Sequence, residues 1–178
     1  MHNKLILDWG QVNKLSLELA RTISISGWMP ERIVGIDRGG LPLGVMLSHY
    51  FGVPFTSLAV SLRDSSRKES NLNLPQFAVG IFNPADEDES EPRLKQNILI
   101  VDDINDTGAT QQWIKEDWRS RCIPEDEAWD HVWHNNVRFA TLIHNESSTS
   151  PIDYSAMDIN KAEKDVWVVF PWENWWTI

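Results

Sequence analysis

The hydrophobic residues of this chain follow two kinds of pattern, one with the spacing of a helix and one made of short continuous runs. Near the N-terminus, apolar residues recur at every third or fourth position, and Gly27 follows them. This spacing predicts a helix from about Val12 to Ser26 that ends before the glycine. The residues of its apolar face are Val12, Leu15, Leu19 and Ile23.

The rest of the chain alternates between short apolar runs and helical segments. Strands are predicted at residues 32–37, 54–60, 77–82, 97–101, 137–143 and 166–170, and helices at 41–51 and 109–121. This alternation is typical of an α/β fold with a mostly parallel sheet flanked by helices. Because ligands bind beyond the carboxyl ends of the strands in such sheets, the turns that follow the strands are the first candidates for a functional site.

Length and composition favour one domain that spans residues 1–178. The chain has 42% hydrophobic and 24% charged residues, which is ordinary for a globular protein. A net charge of −10 argues against nucleic-acid binding, because the chain would repel a phosphate backbone. Its single cysteine, Cys122, cannot form an internal disulfide. With no apolar run long enough for a signal peptide or a membrane span, we expect a cytoplasmic protein without a membrane partner.

The strand predicted at 97–101 leads into a polar segment with the properties of an anion site. Successive backbone amides at a helix N-terminus bind anions, and Gly108 would let a phosphate approach the main chain closely. Thr107 and Thr110 add hydroxyl donors. Asp102 and Asp103 would repel a phosphate, but they can accept hydrogen bonds from sugar hydroxyls or bind Mg²⁺. A phosphate site beside acidic acceptors suits a phosphorylated sugar.

Other interpretations of this segment fit less well. An EF-hand loop needs a glutamate at its twelfth position, where Trp113 or Ile114 stands when the count starts at Asp102 or Asp103. Neither the glycine-lysine phosphate loop nor the glycine-rich dinucleotide turn is present in the sequence. A helix cap at Ala109 would not require two acids directly after a strand.

Three segments carry a resemblance to a known family. Residues 101–110, Val-Asp-Asp-Ile-Asn-Asp-Thr-Gly-Ala-Thr, resemble the phosphoribosyl-pyrophosphate (PRPP) signature of the type I phosphoribosyltransferases. Residues 37–40, Asp-Arg-Gly-Gly, are similar to the family's pyrophosphate-binding turn. Residues 167–173, Trp-Val-Val-Phe-Pro-Trp-Glu, resemble the base-binding segment of bacterial and archaeal purine enzymes. The resemblance implies the family's fold, with a flexible loop at about 61–75 and a C-terminal hood over the base at about 144–178.

The resemblance also implies a role for each matched residue. Asp102 and Asp103 would hold the ribose hydroxyls with Mg²⁺ nearby, and Asp106 would face N7 of the purine as proton acceptor or donor. The resemblance further suggests a cis peptide bond between Asp37 and Arg38, and Trp167 would stack on the base. The implied ligands of the 5′-phosphate are Asp106, Thr107, Gly108, Ala109 and Thr110, and those of the pyrophosphate are Arg38, Gly39 and Gly40.

One stretch departs from the family pattern. In the purine enzymes a late strand ends in a lysine that contacts the 6-oxo group, whereas here Asn145 stands at that position with His144 beside it. A carboxamide can donate to a carbonyl or accept from an amino group, so this position does not fix the base. Trp167, Asn145 and His144 are therefore the predicted base-binding residues.

The resemblance thus implies a Mg²⁺-dependent enzyme of purine salvage that joins xanthine, guanine or hypoxanthine to PRPP and releases pyrophosphate. Two alternatives stay open: a phosphoribosyltransferase with an acceptor other than a 6-oxopurine, and a non-catalytic protein that senses PRPP or nucleotides. The resemblance also implies a homodimer or homotetramer.

Residues outside the matched segments carry weaker expectations. Arg63, Arg67 and Lys68 would let the loop at 61–75 close over the diphosphate, and the acidic run at 86–91 is interpreted as a surface turn. Trp172 is expected to pack against its neighbours. The tryptophans expected at a subunit interface are Trp129, Trp133, Trp175 and Trp176.

Overall fold

A β-sheet flanked by helices forms the centre of the molecule, as a computed structural model shows for residues 3–60, 74–80 and 95–173. In chain order the elements are β1 (Asn3–Ile6), α1 (Trp9–Ile25), β2 (Arg32–Asp37), α2 (Gly40–Phe51), β3 (Phe55–Ala59), α3 (Leu74–Val79), β4 (Ile98–Asn105), α4 (Ala109–Arg121), β5 (Val137–Asn145), β6 (Tyr154–Ile159) and β7 (Val166–Val169). A 3₁₀ helix, Glu127–His131, lies between α4 and β5.

The main sheet has five parallel strands in the order β3-β2-β4-β5-β6. Strand β4 is central, and its Val101 lies opposite Gly35 of β2 on one side and Ala140 of β5 on the other. This arrangement confirms the predicted α/β class with a parallel sheet. It also brings the segments that follow β2 and β4 to the same edge of the sheet.

Apolar side chains cover both faces of the sheet, and β4 contributes to both. Leu99 and Val101 pack with α1 and α2, whereas Ile98 and Ile100 pack with α3 and α4. Because neighbouring side chains of a strand point to opposite faces, a strand covered on both sides needs a continuous apolar run. This requirement explains why the run at 97–101 predicts a strand so clearly.

Helix α1 begins three residues earlier than the apolar spacing predicts, because of a capping box. The backbone N–H of Gln11 donates to Asp8 Oδ1 at 2.7 Å, and the backbone N–H of Asp8 donates to Gln11 Oε1 at 2.8 Å. These reciprocal bonds satisfy amides that the first turn of a helix leaves without partners.

The strand predicted at 77–82 is wrong in its described part, since residues 77–79 belong to helix α3 and Gly80 follows its end. Pro75 is the second residue of α3, where a missing N–H costs no helical hydrogen bond. Leu74 and Ala78 are four residues apart and both are buried, which is the spacing of one helix face rather than of a strand.

Two strands carried too little apolar signal to be predicted. β1 pairs in parallel with β7 to form a second, two-stranded sheet, in which Leu5 lies opposite Val168. β6 is the edge strand of the main sheet, and it is mostly half-buried. The described part of the predicted hood, 144–173, is therefore divided between the two sheets.

The expected subunit interface is wrong for Trp129, which is only 1% exposed and belongs to the core. Trp129 stacks on the half-buried Trp133, with 5.8 Å between ring centroids, and its Nε1 donates to the Cys122 carbonyl at 2.9 Å.

Trp172 stacks on Phe170, with 4.9 Å between ring centroids, which confirms that it packs against a neighbour. The expectations for Trp175 and Trp176, for the basic residues of the loop and for the acidic run concern positions outside the described residues.

None of the helices in the described ranges combines the length and the apolar character that a bilayer crossing requires.

The core position of Trp129 predicts a large loss of stability in Trp129→Ala. Removal of a buried aromatic side chain should lower the free energy of unfolding by about 3–5 kcal/mol, measured by urea unfolding. The loss should not depend on protein concentration, because Trp129 packs within one chain. Ile25→Ala, at an 85% exposed apolar residue, is the control and should change stability little. A loss that disappears at high protein concentration would contradict the core assignment.

Candidate active site

Two turns that the sequence singles out lie side by side at the carboxyl edge of the main sheet. One is the turn at 37–40 between β2 and α2, and the other is the segment at 102–110, where β4 ends and α4 begins. Strands β2 and β4 are neighbours in the sheet. The structure therefore brings together the residues expected to bind pyrophosphate and those expected to bind the phosphorylated sugar.

The two turns approach each other so closely that two positions have room only for glycine. A Cβ atom on Gly39 would overlap the Asp103 carboxylate, and one on Gly40 would overlap the carbonyl oxygen of Val101. The peptide bond of Asp37–Arg38 is cis, as the resemblance suggested. The glycines of this turn are thus required by the neighbouring strand, independently of any ligand.

Asp102 and Asp103 form the last part of β4, which continues to Asn105, four residues beyond the predicted end. Burial raises the pKa of both carboxyl groups, to about 6 for Asp103 and well above the ordinary range for Asp102. The charge of Asp103 further raises the pKa of Asp102, and Glu173 does the same for Asp103. Ionisation of these two carboxyl groups is therefore unfavourable in the unliganded protein. A bound cation or hydroxyl donors of a ligand would stabilise the ionised forms.

The donor set of this pair fits a magnesium ion that is shared with a substrate. Mg²⁺ prefers oxygen ligands and commonly binds through one or two carboxylates together with substrate phosphates. In the part of the chain that the structure describes, no group of three or more His, Cys, Asp or Glu side chains could hold a metal ion. Water molecules or oxygen atoms of a substrate would complete the coordination of an ion held by Asp102 and Asp103.

A cavity of about 220 Å³ lies at the N-terminus of α4 and is lined by residues 102–111 together with side chains from β2, β4 and β5. Gly108 precedes α4 with a φ of 88°, a conformation that favours glycine. The hydroxyl of Thr107 accepts a hydrogen bond from the backbone N–H of Ala109 at 3.3 Å. Because the first amides of a helix lack intrahelical partners and carry partial positive charge, this cavity is suited to an anion.

A short polar segment at 147–150, which the sequence analysis missed, supports this loop. Thr149 donates to the carbonyl of Thr107 from both its backbone N–H, at 3.1 Å, and its hydroxyl, at 2.8 Å. A Cβ atom on Gly108 would lie 2.6 Å from the backbone nitrogen of Ser150. Glycine is therefore favoured at position 108 for two reasons: the positive φ of the loop, and the close approach of the segment at 147–150. Small polar residues between two strands indicate a loop in the sequence, but not the loop against which they pack.

Asp106, the predicted proton-transfer residue, forms an ion pair with Lys161, which the sequence analysis also missed. Lys161 Nζ lies 2.8 Å from Asp106 Oδ2, and the two side chains are 18% and 43% exposed. Lys161 lies in the turn between β6 and β7. Its partner is 55 residues away along the chain, so no local spacing indicates the pair.

Asn145, at the buried end of β5, holds both members of this pair. Its Nδ2 donates to the backbone carbonyl of Asp106 at 2.9 Å and to Asp106 Oδ1 at 3.3 Å. Its Oδ1 accepts hydrogen bonds from the backbone N–H of Lys161 at 3.0 Å and from the Ser147 hydroxyl at 2.9 Å. With protein partners on both ends of the amide, Asn145 is placed to orient Asp106 and Lys161.

The other two predicted base-binding residues lie in different surroundings. His144 Nδ1 is 3.1 Å from Asn105 Nδ2, which can only donate, so Nδ1 accepts and a neutral ring carries its proton on Nε2. Trp167 lies on β7 and is 57% exposed. Within the described residues, no hydrogen bond or ring contact joins Trp167 to Asp106, Asn145 or His144.

A second, larger cleft of about 960 Å³ adjoins the turn at 37–40. Asp103 lines both this cleft and the smaller cavity, so the two sites meet at that carboxylate. The cleft is also lined by Trp172 and Glu173, from the segment after β7, and by Trp9, from the start of α1. An elongated anion-bearing ligand can therefore extend from the N-terminus of α4, past Asp103, to the turn that contains Arg38.

A family model and a named relative both match nearly the whole chain. A family model described as the phosphoribosyl transferase domain matches residues 2–175. Over 173 residues the chain is 22% identical to the xanthine-guanine phosphoribosyltransferase of Idiomarina loihiensis, covering 97% of this chain and 88% of that protein.

Two of the solved structures that share the fold are named as purine phosphoribosyltransferases. The purine phosphoribosyltransferase from Pyrococcus horikoshii matches with a TM-score of 0.63 at 24% identity, over 96% of this chain and 93% of that one. The xanthine-guanine-hypoxanthine phosphoribosyltransferase of Helicobacter pylori matches with a TM-score of 0.66 at 20% identity, over 98% and 97% of the two chains.

The raised pKa of Asp103 predicts that Asp103→Asn stabilises the protein at neutral and alkaline pH. A folded-state pKa of about 6 lies above the ordinary value of about 3.9, so ionisation of Asp103 destabilises the folded state as the pH rises through that window. At pH 8, without PRPP or Mg²⁺, the variant should be more stable than the wild type by about 1–2 kcal/mol in urea unfolding. At pH 4 the difference should disappear. Exposed Glu163→Gln is the control; an equal gain at both pH values would contradict the account.

Proposed function

Because the chain belongs to the phosphoribosyl transferase domain family, a family of pentosyltransferases, we propose that it transfers the phosphoribosyl group of PRPP to a free 6-oxopurine. The products would be pyrophosphate and a nucleoside 5′-monophosphate, as purine salvage requires. One observation carries the proposal: the turn at 37–40 and the loop at 102–110 meet at Asp103, at one edge of the sheet. Relatives named for xanthine, guanine and hypoxanthine support the choice of base.

Binding of the phosphorylated sugar uses the cavity at the start of α4. The 5′-phosphate would lie on the amides and hydroxyls of residues 106–110, and the ribose hydroxyls would donate to Asp102 and Asp103. Because Thr149 fixes the Thr107 carbonyl, the loop is held in shape before the substrate arrives. A preformed phosphate-binding loop reduces the entropy cost of aligning the sugar with the base.

Departure of pyrophosphate builds negative charge on the leaving group and positive charge on the ribose ring. The guanidinium of Arg38 and the backbone amides of Gly39 and Gly40 would stabilise the departing anion. A magnesium ion held by Asp102 and Asp103 together with the substrate would neutralise part of the diphosphate charge. The same two carboxylates, on the sugar side, would favour the positive charge that develops on the ring.

Asp106 is the proposed proton-transfer residue. Its carboxylate is 43% exposed, and it is oriented by Asn145 and Lys161. From this position it would exchange a proton with N7 of the base while another ring nitrogen forms the bond to the sugar.

Trp167, which is largely exposed on β7, would stack on the face of the base. By the family resemblance, we propose that the enzyme works as a homodimer or homotetramer.

The proposed activity predicts pyrophosphate release when PRPP and Mg²⁺ are combined with a purine from a panel of free bases. We expect turnover with at least one of hypoxanthine, guanine and xanthine, and weaker turnover with adenine, uracil and orotate. The measurement is coupled detection of pyrophosphate, with PRPP binding followed by calorimetry in parallel. Tight PRPP binding without turnover of any base would contradict the proposal and favour a sensor of PRPP.

The proposed role of Asp106 predicts that Asp106→Asn loses turnover far more than PRPP binding. Loss of a general acid–base group should lower kcat by about 10²- to 10⁴-fold, while the Kd for PRPP from calorimetry should change little. Asp130→Asn, at an exposed aspartate on the 3₁₀ helix, provides the matched control. Equal losses in kcat and in PRPP affinity would show that Asp106 binds substrate without moving a proton.

A further inference from the structure

We propose that the segment at 147–150, between β5 and β6, is a positioning element for the phosphorylated sugar. It holds the phosphate-binding loop at 106–110 in shape, and it thereby sets the affinity for PRPP without touching the ligand. This role rests on the proposed function. Within the described ranges, residues 147–150 contact that loop but do not line the cavity at the start of α4.

The segment at 147–150 is bonded to the chain on both sides of the loop. Before the loop, Asn105 Nδ2 donates to the Ser150 carbonyl at 3.0 Å, and Asn105 Oδ1 accepts from the Ser148 hydroxyl at 3.2 Å. After the loop, Gln111 Oε1 accepts from the Ser150 hydroxyl at 2.9 Å. Asn105, Gln111 and Ser150 are all buried, so a partner lost here leaves a buried polar group unsatisfied. The two ends of the loop are therefore fixed to the same short segment.

Thr149 fixes the direction of the peptide unit between Thr107 and Gly108. Its backbone N–H, at 3.1 Å, and its hydroxyl, at 2.8 Å, both donate to the Thr107 carbonyl. In a planar trans peptide the C=O and the following N–H point in opposite directions. The N–H of Gly108 therefore points away from Thr149, toward the side of the loop that lines the cavity.

The hydroxyl of Thr149 is itself held in place from helix α4. Gln112 Nε2 donates to Thr149 Oγ1 at 3.1 Å, while the same hydroxyl donates to the Thr107 carbonyl. Thr149 is exposed, and a single exposed hydrogen bond contributes little to the stability of a whole domain. Its effect is expected on the loop that it orients, because the loop must present several amides to one phosphate at once.

The test separates the two halves of PRPP, with ribose 5-phosphate as the probe of the loop and pyrophosphate as the probe of the turn at 37–40. Thr149→Val removes the hydroxyl at nearly constant shape, Thr149→Ser keeps it, and Ser150→Ala removes the buried donor. Thr22→Val is the matched control, because the exposed Thr22 on α1 also donates its hydroxyl to a backbone carbonyl, that of Glu18 at 3.0 Å. Thermal unfolding of each variant checks that the fold is retained.

Loss of one hydrogen bond should weaken the calorimetric affinity for ribose 5-phosphate and for PRPP by about 2- to 12-fold in Thr149→Val. Ser150→Ala should lose at least as much, because a buried acceptor is left without its donor. The Kd for pyrophosphate, the KM for the base and kcat at saturating PRPP should stay unchanged in both variants. Thr149→Ser and Thr22→Val should match the wild type.

An unchanged affinity for ribose 5-phosphate in both Thr149→Val and Ser150→Ala would overturn the inference. So would an equal loss of pyrophosphate affinity, or a wild type that binds pyrophosphate but no sugar phosphate. Failure of the proposed function has a different signature, since the wild type would then bind PRPP and turn over no base. The affinities for the two probes do not depend on turnover, and they still decide the role of the segment at 147–150 in that case.

Discussion

The close approach of two backbone turns at the carboxyl edge of the sheet is the constraint on which the site depends. Gly39 and Gly40 pack so tightly against Asp103 and Val101 that a Cβ atom on either glycine would overlap them. This contact brings the anion-binding turn after β2 against the acidic end of β4. At the same edge lie two adjacent, half-buried carboxyl groups, Asp102 and Asp103, and desolvation raises the pKa of both. A substrate hydroxyl or a cation bound there would stabilise their ionised forms.

Much of this arrangement could be predicted from the sequence, because strong local signals coincide there. The apolar run at 97–101 predicts a strand buried on both faces, and the acids and small residues after it predict a loop at its carboxyl end. The bounds predicted for β2 and α4 agree with the structure. Once a parallel sheet is expected, topology alone places the turns after neighbouring strands at one edge.

Contacts between distant segments could not be predicted, because no local pattern indicates them. Lys161 reaches Asp106 across 55 residues, and Thr149 supports Thr107 across 42. The sequence analysis found an asparagine, Asn145, where the family resemblance led us to expect a cation. The structure shows that this asparagine holds a lysine from the next turn beside the same aspartate. The edge strands β1 and β6 were missed because a strand covered on one side lacks a continuous apolar run.

The most direct test of the account is a crystal structure with pyrophosphate and a 6-oxopurine nucleoside monophosphate bound. The account predicts the 5′-phosphate on residues 107–110, the pyrophosphate on the turn at 38–40, and N7 of the base within hydrogen-bond distance of Asp106. A nucleotide bound away from the junction at Asp103, or a pyrophosphate that does not touch the glycine turn, would contradict the central claim that the two turns form one site.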